Sequence, residues 1–381
     1  MSKQNKTVLF LFINGPHHVY HLILPALRFS ALKNEIETIF ISGNPLNTKI
    51  INDTKKITGL NNFTLIDIPL PLRYRIKNYR NRLYPPVYTR IKKVIKYLRN
   101  ANAIISTSHN FPEHLSKYEI KRPTLIYLYH GTGTRAYGFE SSLKEFDHIL
   151  IPGQYHKDRL IKSFPVKDGQ LEMVGVPKLD WMKIKKSKSQ RLFNNDNPIF
   201  YYNPHWEIEF SSYLKWKDVI LEFFKQKKFY NLIFSPHPLI QHLSKKTGYE
   251  LNEKNIVEDN ILVDLESDQC FDGTYTSMAD VYIGDISSMV TEWVMQKPRP
   301  CIFINAHNVN WKGNDDYYMW RFGKVVNELK EFEDAVKKST HHNDFEKIQK
   351  KLKNEFIYSS DKSSSDLCAR FIETKLSIPS K

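Results

Sequence analysis

The sequence predicts two doubly wound α/β domains, each a parallel sheet with helices on both faces. Three observations carry that prediction. Short continuous apolar runs recur along the chain, stretches of helical periodicity lie between many of them, and one basic, polar break divides the runs into two series. The length agrees, because 381 residues exceed one ordinary domain and suit two.

The runs are continuous in apolarity and mostly do not alternate, which is what strands need when helices cover both faces. The first series is Val8–Ile13, Thr38–Ser42, Phe63–Ile68, Ala103–Ser106, Leu125–Tyr129, His148–Ile151 and Leu171–Val174. The second is Ile199–Tyr202, Asn231–Ser235, Ile261–Val263, Val281–Gly284 and Pro300–Ile304. Helical periodicity marks Val19–Leu32, Tyr155–Lys162, Ser212–Lys227 and Ser288–Gln296. The stretch Lys183–Asn197 (KIKKSKSQRLFNNDN) lacks apolar periodicity and reads as a linker. This predicts a first domain over residues 1–182, a linker over 183–197 and a second domain over 198–360. The charged, helical tail would end in a helix over 361–381 packing back on the first lobe. In two lobes of this class facing each other across a cleft, the ligand is expected at the carboxyl ends of the strands.

Hydrophobic residues at 41% and aromatics at 13% are enough for real cores and exclude a disordered chain. Cys270, Cys301 and Cys368 form no C-x-x-C pair, so neither a disulfide framework nor a metal site is expected, and a reducing compartment fits. No apolar run approaches the roughly 20 residues that span a bilayer. Val8–Ile13 is followed by Asn14-Gly15-Pro16-His17-His18 and not by a small-residue cleavage site, so it reads as a core strand. The expected location is the cytoplasm, with a peripheral place on the inner membrane face left open. A net charge of +15 points to an anionic partner, whether nucleic acid, acidic lipid or a phosphorylated substrate. A lysine-rich coding bias explains part of the same excess.

Arg73–Asn100 stands apart, with ten Lys or Arg residues and no acidic ones. Ile91, Val94, Ile95 and Leu98 follow helical spacing, Arg90, Lys92, Lys93, Lys96 and Arg99 occupy the remaining surface, and Tyr84, Tyr88 and Tyr97 suit a headgroup boundary. Two readings stay open: an amphipathic helix on an anionic membrane, and a helix packed on the sheet with a solvated basic face. No nucleic-acid module is recognisable, so nucleic acid is not expected as a partner.

Four constellations follow strand ends. Val281–Met295 reads as strand, Gly284-Asp285 turn, Ser287 and Ser288, then a helix, which sets hydroxyls and free amides at the positive end of a helix dipole. Serine capping alone explains the two serines equally well. Glu292, one turn on, is placed to accept ribose hydroxyls. His130-Gly131-Thr132-Gly133-Thr134-Arg135 offers close backbone approach, phosphate contacts from Thr132 and Arg135, and His130 as a general base. In Ser235-Pro236-His237-Pro238 two prolines fix the direction of an imidazole, or simply make a rigid turn. Gly175-Val176-Pro177-Lys178-Leu179-Asp180 brings a cation to a Gly-x-Pro loop.

In this order the motifs resemble those of the CDP-glycerol glycerophosphotransferase family, bacterial enzymes that prime and polymerise teichoic acids and related capsule polymers. His130-Gly131-Thr132 is similar to its HGT motif and Gly175–Asp180 to its Gly-x-Pro-Arg-x-Asp motif. Asn203-Pro204-His205-Trp206 is similar to a Pro-Thr-Trp element, His237-Pro238 to its HP motif and Asp285-Ile286-Ser287-Ser288 to Asp-Tyr-Ser-Ser. Glu292 takes the place of its later acidic residue, and Lys297-Pro298-Arg299-Pro300 resembles its Lys-Arg-Pro segment. The likeness spans roughly residues 125 to 305. Departures occur too: Gly133-Thr134-Arg135 replaces Pro-Leu-Lys, Lys178 replaces Arg, His205 replaces Thr, Ile286 an aromatic and Glu292 an Asp.

The resemblance implies a GT-B fold of two Rossmann-like lobes, no cofactor and no metal. It implies a CDP-linked alcohol phosphate as donor and a glycan or lipid-linked hydroxyl as acceptor, with CMP released. His130 and His237 would be catalytic. Gly131, Thr132, Arg135, Gly175, Pro177, Lys178, Asp285, Ser287, Ser288 and Glu292 would bind the donor, and His17, His18 and His205 are additional candidates. A ribitol phosphate donor stays open. So do a GT-B glycosyltransferase, in which His17, His18 and His21 would matter, and a non-catalytic anion-binding protein.

Overall fold

A computed structural model describes residues 6–32, 35–70, 72, 90–118, 120, 123–134, 136–186, 191–240, 244, 251–253, 256–287 and 289–377. It contains two compact units. One comprises Met1–Gly131, Phe139–Trp181 and Glu355–Lys381, the other Thr132–Gly138 and Met182–Asn354.

The first unit holds a sheet of β1 (Thr7–Phe12), β2 (Glu37–Ser42), β3 (Thr64–Asp67), β4 (Ala103–Ser106), β5 (Thr124–Leu128), β6 (His148–Ile151) and β7 (Leu171–Met173), in the order β3-β2-β1-β4-β5-β6-β7. Every pairing is parallel. Residues Val8–Phe12 of the central strand are buried, as the continuous apolar run requires. The second unit holds β8 (Ile199–Asn203), β9 (Asn231–Phe234), β10 (Ile261–Val263), β11 (Val281–Gly284), β12 (Cys301–Ile304) and β13 (Lys324–Val326), in the order β10-β9-β8-β11-β12-β13, again all parallel. Both orders reverse at the first strand of the sheet, the switch point of a doubly wound fold.

Local sequence explains the helices that position the site. Helix α1 (Pro16–Ser30) starts on Pro16, whose fixed φ suits a first helical residue. Helix α2 (Pro45–Thr58) is capped by the Asn44 side chain, which accepts from Asn47 N at 3.0 Å, and stops at Gly59 in the left-handed region with φ 72°. The Asn47 amide donates to both Phe12 O and Asn14 O at 2.8 Å, which fixes the chain as it leaves β1.

The basic segment differs from the expected continuous helix. Residues 73–89, with Tyr84 and Tyr88, lie outside the described residues. The remainder is a 3₁₀ turn, Ile91–Val94, followed by α3 (Ile95–Asn100). Ile91, Val94 and Leu98 sit in the core cluster, while Lys92, Lys93, Lys96 and Arg99 are exposed, so this part is a helix packed on the sheet. Arg90, expected on the surface, is only 3% exposed. Its guanidinium donates to Ile68 O at 3.0 Å and Gly43 O at 2.8 Å, the carbonyls just past the ends of β3 and β2.

After helix α4 (Phe111–Ser116) come α5 (Gln154–Ser163) and α6 (Pro177–Lys186) in the order of the chain, then α7 (Tyr213–Gln226), α8 (Thr274–Met278) and α9 (Met289–Gln296). The chain then forms α10 (Leu329–Ser339) and α11 (Glu346–Phe356) and returns to the first unit as α12 (Ser364–Ser377), which packs along α1. Two glycines admit this return. A Cβ on Gly153 would lie 2.6 Å from the Phe356 backbone. Gly175 has φ +80°, and a Cβ there would meet the Tyr358 carbonyl at 2.8 Å and the Ser364 side chain. Asp180 Oδ2 accepts from Ser365 N at 2.8 Å and Ser365 Oγ at 2.9 Å, at the start of α12. No described helix is long and apolar enough to cross a membrane.

Candidate active site

In the first unit, the loops at the carboxyl ends of β1, β4 and β5 gather histidines. His17 and His18 lie in the first turn of α1, and His130 follows β5. The His18 and His130 rings stack at 3.8 Å between centroids and 27° between planes, and His17 lies 4.4 Å from His18. His18 Nδ1 is 3.2 Å from Asn14 Nδ2 and 3.1 Å from Thr107 Oγ1. The amide nitrogen can only donate, so Nδ1 accepts and the ring proton of neutral His18 sits on Nε2. His130 Nδ1 is 3.3 Å from the Tyr127 hydroxyl.

His18 and His130 are held neutral. Burial, then the nearby His109, bring His130 down to about 4, against the Thr107 carbonyl that accepts from its ring. Burial, then the charge of His130, and then His17, His21 and His109 push His18 well below the ordinary value. His21, also buried, is lowered by desolvation and then by the Lys178 ammonium. His109 Nδ1 lies 3.0 Å from Glu140 Oε2 and 3.2 Å from Ser142 Oγ. His109, Thr107 and Glu140 were not anticipated. The polar run Ser106–Asn110, directly after the predicted strand Ala103–Ser106, carried the signal for the first two.

The other candidates near this sheet divide. Gly131 has φ +141°, a conformation open to glycine, with no atom within 4 Å of a built Cβ. Thr132 is buried and Arg135 lies outside the described residues. Pro177 opens α6, and Lys178, 2% exposed, lies in electrostatic reach of His21. Gly175 and Asp180 meet the chain's own return segment.

In the second unit the loops after β8, β9 and β11 form a braced cradle. Asn203 Nδ2 donates to Ser235 O at 2.6 Å and His237 N to Pro204 O at 3.0 Å, tying the first two loops. His237 Nδ1 accepts from Leu239 N at 3.1 Å, and His205 Nδ1 accepts from Glu207 N at 3.0 Å. Each neutral ring therefore carries its proton on Nε2, as a donor. The rings lie 5.9 Å apart, and burial, then His205, lower His237 to about 3.

Asp285, expected among the donor contacts, turns inward. Its Oδ2 accepts from His205 N and Ser212 N, each at 2.9 Å. Burial raises its carboxyl to about 7, opposed by the hydrogen bonds of Ser212 and His205. Ser287 Oγ accepts from Met289 N at 3.1 Å and caps α9, while Ser288 lies outside the described residues. Glu292 sits nearly buried in the first turn of α9. Among the described residues no three His, Cys, Asp or Glu side chains gather to hold a metal.

Residues 75–374 match the family model described as CDP-Glycerol:Poly(glycerophosphate) glycerophosphotransferase. A search of curated proteins returned no match. Among solved structures, the wall teichoic acid polymerase TagF superposes with a TM-score of 0.62 at 14% identity, covering 98% of this chain and 89% of that one. S. aureus MnaA with UDP gives 0.61 at 11% identity, covering 99% and 98%. The UDP-GlcNAc 2-epimerase of Methanocaldococcus jannaschii gives 0.59 at 13%, covering 97% and 100%. At these identities the likeness concerns the fold, which is GT-B. The family model covers most of the chain, and the chain belongs to the CDP-glycerol:poly(glycerophosphate) glycerophosphotransferase family.

Proposed function

We propose that this transferase moves glycerol phosphate from CDP-glycerol to a hydroxyl of a teichoic acid, cell-wall or capsular acceptor, and that its two units divide the chemistry. The observation that carries the reading is the state of the two motif histidines. His130 and His237 each follow a parallel strand as neutral imidazoles, one in each unit, within a chain that the family model matches from residue 75 to 374.

The acceptor oxygen attacks the glycerol-bearing phosphorus in line. As the new O–P bond forms, the bond from that phosphorus to the bridging oxygen breaks, its electron pair leaves with CMP, and the hydroxyl proton passes to His130. With its pKa near 4, His130 is unprotonated at neutral pH and ready to accept. In this reading His237 Nε2–H, Ser287 and the positive end of the α9 dipole answer charge that grows on the leaving pyrophosphate oxygens, the task of a preorganised donor set. Lys178 and Arg135 add positive charge, and Glu292 takes the ribose. A lipid-linked acceptor at an anionic membrane face accords with the +15 charge and the exposed Lys92, Lys93, Lys96 and Arg99.

Purified protein with CDP-glycerol and a synthetic glycerophosphate acceptor tests this. CMP release should survive EDTA and fall at least about a hundredfold in His130→Ala. Undiminished release in that variant would remove His130 from the mechanism, and turnover with a UDP-sugar alone would overturn the donor.

A further inference from the structure

We propose that His18 is a positioning residue for His130, a stacked imidazole whose face sets the plane of the His130 ring. The inference rests on the reading of His130 as the proton acceptor and adds a residue to it.

The geometry is specific. The two rings lie 27° from parallel at 3.8 Å between centroids, closer than the 4.4 Å between His17 and His18. His18 is itself held on three sides. The first turn of α1 fixes its backbone, with His18 N donating to Gly15 O at 3.0 Å, while Asn14 and Thr107 hold Nδ1. Asn14 is anchored in turn by the Asn47 amide on its carbonyl, from the start of α2. A chain of contacts from α2 through the β1 loop thus ends on one face of the His130 ring. Thr107 serves both rings, since its hydroxyl meets His18 Nδ1 and its carbonyl accepts from His130.

Stacking also shields. Desolvation is the largest cause holding His130 low, and the face covered by His18 is a face closed to water. Around His130 stand His18 and His21 from α1, Tyr127 from its own strand and His109 after β4; His17 lies beside His18, Lys178 from α6 faces His21, and Glu140 lies beside His109. None of these but Glu140 is acidic. A protonated His18 would repel the proton His130 has to take, whereas the neutral tautomer fixed by Asn14 does not. General-base catalysis depends on holding the ring within tenths of an ångström of its productive place, and His18 supplies that constraint.

Steady-state kinetics of His18→Ala and His18→Phe, beside wild type and His130→Ala, test the proposal. His18→Ala should lower kcat by about a hundredfold or less with the KM for CDP-glycerol little changed, because the donor contacts lie elsewhere. Its acid limb in the pH–rate profile should move up towards the ordinary histidine value as water reaches His130. His18→Phe keeps a flat ring without a titratable group and should recover most of the rate and the wild-type limb. Wild-type kcat in His18→Ala would overturn the proposal. So would a His18→Phe enzyme that folds normally by circular dichroism yet is as slow as His18→Ala. A fully active His130→Ala would instead overturn the reading of His130 beneath it, so the two failures are distinguishable.

Discussion

The two units both place histidines at the carboxyl ends of parallel strands and hold them in different ways. In the second unit His205 and His237 are fixed by the main chain, each Nδ1 accepting from the amide two residues on, and the loop that carries His205 is braced by Asp285. In the first unit His18 and His130 are held by each other, by Thr107 and by Tyr127. A tautomer locked by backbone suits a donor that never changes its proton, as pyrophosphate binding requires. A ring held by stacking and hydroxyls can gain and lose one. Under the proposed mechanism, the first arrangement fits binding and the second fits proton transfer.

The sharpest way to break that division is to compare His130→Ala with His237→Ala. The first should cost at least about a hundredfold in kcat with donor KM preserved. The second should cost about a hundredfold in kcat/KM and weaken CDP binding measured by calorimetry. Equal losses of CDP binding would erase the distinction. Next in size, Asp285→Ala strands two buried amides and should lower stability by about 3 kcal/mol in urea unfolding, while weakening CDP binding as the His205 loop loosens. Gly175→Ala should cost a comparable 3 kcal/mol, from φ +80° and the Tyr358 carbonyl, with CDP binding untouched.

The pH dependence of stability separates the same groups. His130 and His237, lowered to about 4 and about 3, take up protons in the unfolded chain that the folded chain refuses, so stability is lost as pH falls below the ordinary histidine value. Asp285, raised to about 7, works the other way, and its contribution is lost as pH rises through that value. Asp285→Asn should therefore make the rise in urea midpoint from pH 4 to pH 7 steeper than in wild type. An unchanged slope would mean Asp285 is ionised throughout. The smallest effect is expected from Asp180→Ala, which removes the acceptor at the start of α12 and should cost about 1 kcal/mol without changing kcat.

Much of the fold was legible because parallel strands covered on both faces leave continuous apolar runs; His148–Ile151, Ile261–Val263 and Val281–Gly284 coincide with strands residue for residue. β13 was not, since Lys324–Val326 opens on an exposed lysine and leaves only two apolar residues to read. The motif histidines were legible from their flanking glycine and prolines. Their supports were not: Asp285 reads the same whether it faces a ligand or its own loop, and Arg90 reads as one more surface cation until it is seen to donate to the carbonyls of Gly43 and Ile68. The stacking of His18 on His130 joins residues far apart in sequence, and no local pattern encodes it.

The return of the last helix to α1 has a consequence for how the molecule is made. Residues 355–381 belong to the first unit, whereas the second is built almost wholly from Met182–Asn354. On the ribosome the later unit is therefore complete before the earlier one. Until α12 emerges, the flank of α1 that it covers lacks its cover, and the helix that bears His18 is without that partner. The helix that carries His17 and His18 is thus steadied by a segment translated only after the whole second unit.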